Sequence, residues 1–356
     1  MSKRDDLNGK HLYISSCGGV GDLIMFTPAL RKIKELYPDV KITFLTAKHN
    51  KEIIEGLPFL DQVIWIERKK RFGRWAALKK LWKQDVVIFT DWQPQLMVAA
   101  CLLRIPVICG IPKAGHFLNR LLTKKLQNHV MKSAAYAAQT NALIFAEALG
   151  IDLSGELGKS EIASPSLADK ECVDKLLKDA GLTPETTFIC LTPFAGLEER
   201  NWPLEAAREW VRRTEKKYKV PVVVLGPESK RQQAASMGGV NLAGKTTLLQ
   251  LAEVIRRAAL HVGPDSGPMH IAGAVGTPTV ALFSKDLPSR WAPRQNCQVV
   301  TLALPCSPCS DETARSCENI QCMQGITADM VEKEVERLWT AGVSARVLKA
   351  RRSELC

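Results

Sequence analysis

Residues 260–283, LHVGPDSGPMHIAGAVGTPTVALF, hold a strand, a turn, a helix and a second strand in one short stretch. The apolar runs 260–262 and 279–283 read as buried strands. Between them a polar, glycine-containing turn opens a helix that carries His270. Strands joined by a crossover helix pair in parallel, because the helix must lie back on the sheet. A strand-to-helix turn of this kind offers backbone amides and a hydroxyl at a helix N-terminus, which favours an anion such as a diphosphate. Asp265, Ser266 and Gly267 form that turn, and His270 lies one turn into the helix. The same residues also fit a simple capped helix with a satisfied histidine.

The alternation continues outward in both directions. In the C-terminal half, apolar runs at 187–192 and 220–225 come first, and 328–339 has helical spacing at the end. In the N-terminal half, strands are expected at 11–16, 40–46, 62–66, 85–90 and 106–109, with helices over 22–37 and 133–149. Near-continuous apolar strands alternating with helices imply parallel sheets covered on both faces. Residues 151–165 lapse into Gly, Ser and Asp, as a linker does, and 168–180 reads as a helix. The expected chain is α/β, with two Rossmann-like, doubly wound domains. The first spans 1–155, a linker with its connecting helix 156–180, the second 181–330, and a helix and tail 331–356. Ligands of such sheets bind at the carboxyl ends of the strands, so the two domains are expected to face a central cleft.

Composition narrows the classes. The chain has 356 residues, 46% of them apolar and 24% charged, and a net charge of +12. That excess favours an anionic partner, whether nucleic acid, an acidic membrane surface or a phosphorylated substrate. No zinc-finger spacing, RNP-like signature or basic heptad array speaks for nucleic acid. The opening MSKRDDLNGK has no apolar region behind it, and the most apolar stretch, 86–111, is broken by Asp91, Gln93, Pro94, Gln95, Arg104 and Pro106. A cytoplasmic protein is expected.

The first strand runs into CGGVGDLIMFTPALRKIKELYP, residues 17–38. This is not a GxGxxG fingerprint, and no GxxxxGK[ST] occurs anywhere, so dinucleotide binding and P-loop hydrolysis are poorly supported. Gly18, Gly19 and Gly21 let the backbone approach a phosphate or a bulky acceptor closely. Asp22 stands where a helix N-cap belongs, and a carboxylate there serves either as a cap or as a base beside a sugar hydroxyl.

Three stretches, GVGDLIMFTPALRKIKELYP, RNWP and DSGPMHIAGAVGTPTVALF, follow one another in the order and spacing of glycosyltransferase family nine. The chain resembles that family, the ADP-heptose:lipopolysaccharide heptosyltransferases, over most of its length. The resemblance implies a GT-B fold, with the acceptor bound mainly by the first domain and the nucleotide sugar by the second. It also implies an inverting transfer of a heptose, or a similar sugar, from ADP-heptose to a phosphorylated lipopolysaccharide inner-core acceptor, with no metal or other cofactor required. By the same resemblance Asp22 is the general base, and Arg200, before the Trp-Pro pair, faces the donor diphosphate. Asp265, Ser266, Gly267 and His270 line the donor site, Thr246 lies near the adenine, and Glu228 corresponds to the ribose-binding carboxylate. The chemistry is coherent: Asp, with a reference pKa of about 3.9, can serve if the hydroxyl acidifies late, as the anomeric bond breaks. Charge growing on the leaving diphosphate needs fixed positive potential, which Arg200 and the turn amides supply.

Two departures stand out. Many relatives carry Lys or Arg where Ser16 stands, and SKDLP follows Phe283 in place of a Gly-Pro-Thr-type turn. Transfer to a protein acceptor, use of another nucleotide sugar, or a non-catalytic protein that binds anionic surfaces remain as alternatives.

Of the eleven cysteines, Cys306, Cys309, Cys317 and Cys322 crowd together as Cys-x2-Cys-x7-Cys-x4-Cys. Such thiols can hold a structural zinc or iron, stay free, or pair as disulfides. A branch of the resembling family carries a four-cysteine iron site with different spacing. Trp65, Trp75, Trp82 and Trp92 accompany a basic run at 68–83. They read either as contacts to a phosphorylated glycolipid or anionic membrane face, or as core aromatics beside a solvated basic helix.

Overall fold

The computed structural model describes residues 6–67, 75–127, 135–310, 313–314 and 316–343. Most of the basic run at 67–75, the start of the helix expected at 133, and the tail beyond 343 lie outside these residues. The chain divides into two compact units, Met1–Ser164 and Pro165–Cys356.

The first unit holds strands β1 (His11–Ser15), β2 (Lys41–Ala47), β3 (Gln62–Ile66), β4 (Val86–Phe89), β5 (Val107–Gly110) and β6 (Lys124–Lys125). They form one sheet in the order β3-β2-β1-β4-β5-β6, with every pair parallel. Its helices are α1 (Val20–Leu36), α2 (Trp75–Leu81), α3 (Pro94–Leu102) and α4 (Ala137–Leu149). Helix α1 is buried from Leu23 to Leu30 although Pro28 lies inside it. Proline cannot donate to the Ile24 carbonyl one turn back, and the Thr27 hydroxyl donates to it instead at 2.7 Å. Strand order reverses at β1, with β2 on one side and β4 on the other, which is the switch point where such sheets bind ligands.

The second unit begins with α5 (Leu167–Asp179), whose Ser166 cap accepts from the Asp169 amide at 3.1 Å. Its strands are β7 (Ile189–Leu191), β8 (Val222–Val224), β9 (Val240–Asn241), β10 (Leu260–Pro264), β11 (Thr279–Phe283) and β12 (Cys297–Thr301). All are parallel, in the order β12-β11-β10-β7-β8-β9, so the reversal falls between β7 and β10. The helices between and after them are α6 (Leu204–Tyr218), α7 (Arg231–Ala235), α8 (Leu248–Arg257), α9 (Gly267–Val275), α10 (Pro288–Trp291), α11 (Gln321–Gln324) and α12 (Ala328–Leu338). Connecting helix α5 packs on α8 within this unit, where Arg257 pairs with Asp174.

Beside the reversal, His261 on β10 is fully buried, and its Nε2 stands 2.8 Å from the Thr192 hydroxyl after β7. Burial lowers its pKa to about 3, so the fold holds the ring neutral. The unfolded chain takes up a proton near pH 6.5 that the fold refuses. Stability therefore falls as pH drops from 6.5 towards 3, by about 1.4 kcal/mol per unit at most. Denaturant midpoints at pH 7 and pH 4.5 should diverge in the wild type and diverge less in His261→Gln. Equal divergence in both would rule out His261 as the source.

Candidate active site

In the first unit the loop after β1 sits at the sheet's switch point. The Gly19 amide donates to Asp22 Oδ2 at 2.8 Å, and Gly19 is the helix cap. Asp22 therefore lies in the first turn of α1, at its third residue, rather than at the cap position expected from sequence. It closes the turn by reaching back to the backbone. A Cβ on Gly18 would stand 2.7 Å from Asp22 Oδ2, so only glycine lets the carboxylate settle there. Two residues missed by sequence reading hold the loop from neighbouring strands. Buried Asn50, after β2, donates Nδ2 to the Gly18 carbonyl at 2.7 Å. Asp91, after β4, accepts the Cys17 amide at 3.2 Å. The usable signal was a polar residue just beyond the end of a buried strand.

In the second unit the predicted residues stand on loops at the carboxyl ends of adjacent strands: Asp265, Ser266, Gly267 and His270 after β10, Arg200 after β7, Glu228 after β8 and Thr246 after β9. The RNWP stretch positions Arg200. Trp202 is buried and donates Nε1 to the Ile326 carbonyl at 2.9 Å, while Asn201 Oδ1 accepts the Ala195 amide at 2.7 Å. With those two anchored, the Arg200 guanidinium reaches across to β10. Its Nη1 lies 3.2 Å from the Asp265 carbonyl oxygen and 3.5 Å from Asp265 Oδ2. Asp265 Oδ1 in turn stands 3.6 Å from His270 Nε2, and both residues are buried. Arg200, 65 residues from Asp265 in the chain, thus joins Asp265 and His270 in one connected set.

Arg200 also binds a carboxylate that sequence reading did not single out. Its Nη2 lies 2.7 Å from Asp286 Oδ2, in the SKDLP turn after β11. Beside it Lys285, only 4% exposed, brings its ammonium 3.6 Å from the same oxygen. The signal was the opposite-charge pair placed directly after an apolar strand. Arg200 Nε and His270 Nδ1 are buried with no hydrogen-bond partner among the described residues. Ser266 donates its hydroxyl to the Pro264 carbonyl at 3.1 Å and opens α9.

Glu228 and Thr246 belong to a second group. Gly244 has a positive φ of 75°, and a Cβ there would stand 1.8 Å from Glu228 Oε2. The Gly244 amide also donates to the Gly226 carbonyl at 2.8 Å. The β8 and β9 loops are therefore in contact, with Glu228 packed against Gly244, two residues before Thr246. A cavity of about 270 Å³ opens beside Trp202, Lys230 and Met323, but none of the predicted donor residues lines it.

Of the clustered cysteines, Cys309 lies against the Lys285 turn. The Cys309 amide donates to the Lys285 carbonyl at 3.1 Å, and the Ser307 hydroxyl to the Ser284 carbonyl at 3.0 Å. Burial pushes the Cys309 and Cys322 thiols up, and the neighbouring cysteines add to the rise. Among the described residues no group of three or more His, Cys, Asp or Glu side chains is placed to hold a metal ion. Of the tryptophans, Trp82 is 64% exposed, Trp65 lies under the Lys48 ammonium, and Trp92 meets the His116 ring edge-on. The core-aromatic reading therefore fails for Trp82, because it stands beyond the last buried turn of α2.

Residues 74–319 match the sequence profile of glycosyltransferase family 9 (heptosyltransferase). The loop bearing Asp22 lies ahead of that match. Over 307 residues the chain is 24% identical to lipopolysaccharide core heptosyltransferase OpsX of Haemophilus influenzae, covering 81% of this chain and 82% of that one. The crystal structure of a family 9 glycosyl transferase from Veillonella parvula superposes with a TM-score of 0.81 at 22% identity, over 96% of this chain and all of that one (100%). The E. coli ADP-heptose lps heptosyltransferase II superposes at 0.74 and 20% identity, over 93% of this chain and 99% of that one. These likenesses show the two-sheet GT-B fold.

Proposed function

The chain belongs to glycosyltransferase family 9, the heptosyltransferases, and on that premise we propose that it moves a heptose from ADP-heptose to a lipopolysaccharide core acceptor. The observation that carries this reading is the set Arg200, Asp265 and His270, gathered from two strands at the switch point of the second sheet with Asp286 beside it. That is where a doubly wound sheet holds a nucleotide, and a guanidinium there suits a diphosphate. Glu228 and Thr246, on the loops after the next two strands, suit the ribose and base of the same nucleotide.

In the proposed reaction the acceptor hydroxyl attacks the anomeric carbon from the face opposite the diphosphate, which inverts that centre. The new carbon–oxygen bond forms as the bond to the diphosphate oxygen breaks, and ADP leaves with the electron pair. Asp22 takes the hydroxyl proton and later gives it to water. Arg200 and the amides of the Ser266 turn meet the charge that grows on the departing diphosphate. No step is assigned to a metal. The reading puts the enzyme in the cytoplasm, and no helix among the described residues is long and apolar enough to cross a membrane.

Incubation with ADP-heptose and a truncated core lipid tests this reading by mass. The expected product gains one heptose while ADP accumulates, and its new linkage has the anomeric configuration opposite to that of the donor. Transfer from another nucleotide sugar with none from ADP-heptose would overturn the donor assignment.

A further inference from the structure

The outer layer of the first unit leaves apolar side chains in solvent. Helices α2 and α3, with the short helical turn Phe117–Leu121, pack against the sheet through Ala77, Leu81, Leu96, Met97 and Ala100. Helix α3 is apolar on its outer side as well. Val98 and Leu102, one turn apart and so on the same face, are 38% and 78% exposed. Phe117, on the neighbouring turn, is 72% exposed, and Trp82 follows α2. Among the described residues, five of the nine exposed large apolar side chains, Trp82, Val98, Leu102, Leu103 and Phe117, belong to this layer, which the core does not require to be apolar outside.

Cations share the same segment of chain. Lys79, Lys80, Lys83, Arg104, Lys113 and Arg120 are all exposed, and none is ion-paired among the described residues. The segment 75–127 has only two carboxylates, Asp85 and Asp91, and both are engaged by donors, Lys10 among those of Asp85. Asp85 accepts the His11 amide at 2.8 Å, and Asp91 accepts the Cys17 amide and the Gln93 side chain. Apolar side chains of insertion size, on a layer whose exposed cations outnumber its carboxylates, match a negatively charged bilayer, whose headgroups take the cations while the acyl boundary takes the apolar side chains.

We infer that the α2–α3 layer of the first unit, through Leu102, Phe117 and the cations of the same segment, docks this protein on the surface of an anionic lipid bilayer. The face differs from the one expected on sequence, since its apolar part lies on α3 and the 117–121 turn rather than on the tryptophans alone. The inference does not rest on the transferase reading, because the test contains neither donor nor acceptor.

The full chain is sedimented with vesicles of phosphatidylcholine, with and without phosphatidylglycerol. Wild type is expected to pellet with the mixed vesicles and to stay in solution with the neutral ones, and raised salt should weaken the pelleting. Leu102→Asp with Phe117→Asp should cut the partition coefficient at least about tenfold. Arg104→Glu with Arg120→Glu should do the same on anionic vesicles. Unchanged melting temperature and far-ultraviolet circular dichroism in each variant show that the fold is intact. Equal binding to neutral vesicles, no binding to either, or undiminished binding by the Asp variant would overturn the proposal. So would a wild-type dimer that the Asp variant turns into a monomer, for the face would then seat a second copy.

Discussion

Asp22→Asn should lower turnover by about 10²–10⁴-fold while leaving the dissociation constant for ADP unchanged. Asparagine is nearly the same size and can still accept the Gly19 amide through its oxygen, so the first turn of α1 stays closed. What disappears is the negative charge that takes the acceptor proton. A cap alone predicts a different pattern. If Asp22 only closes the helix, the Asn variant keeps its rate, and Asp22→Ala costs stability of about 1 kcal/mol through the lost cap. The two substitutions together therefore separate base from cap: stability should follow the hydrogen bond to Gly19, and rate should follow the charge. ADP affinity is the control, because the residues proposed to hold the nucleotide all stand in the second unit. A normal rate in the Asn variant would remove Asp22 from the chemistry.

The frame of both units was legible because a buried parallel strand must be almost wholly apolar, and runs such as Val86–Phe89 and Thr279–Phe283 leave little else to be. The strands that escaped notice had no such run. Strands β6 and β9 have two residues each, and β6 is a pair of lysines at the sheet's edge. Strand β12 is only half-buried along most of its length, as an outer strand is. The turn after β10 was legible from Asp265 to His270 because its glycine and proline mark where a helix opens. Asp286 was not, since its partner Arg200 is reached through the β7 loop, and only strand order brings the two together. Asp22 was legible as a residue but misplaced by one turn. Its side chain closes the helix by reaching backward, and the sequence pattern of a carboxylate before an apolar run cannot tell that from a cap.

Arg200→Ala should raise the dissociation constant for ADP by about 30–100-fold, an effect of about 2–3 kcal/mol, when measured by calorimetry. The loss has two parts. The guanidinium no longer meets the diphosphate, and Asp265 and Asp286, which it bridges at 3.5 and 2.7 Å, now present their charges to an anionic ligand. Arg200→Lys keeps one positive charge, but an ammonium lacks the planar fork that spans two carboxylates, so its affinity should fall between those of wild type and the Ala variant. The second part can be isolated. Adding Asp286→Asn to Arg200→Ala removes one of the exposed negative charges and should recover part of the lost affinity, whereas the same change in the wild type frees the guanidinium from a competitor. If the double variant binds ADP no better than Arg200→Ala alone, Asp286 is not part of the donor site's charge balance. If Arg200→Ala binds ADP as wild type does, the diphosphate lies elsewhere, and the connected set at β7 and β10 is a structural ion pair.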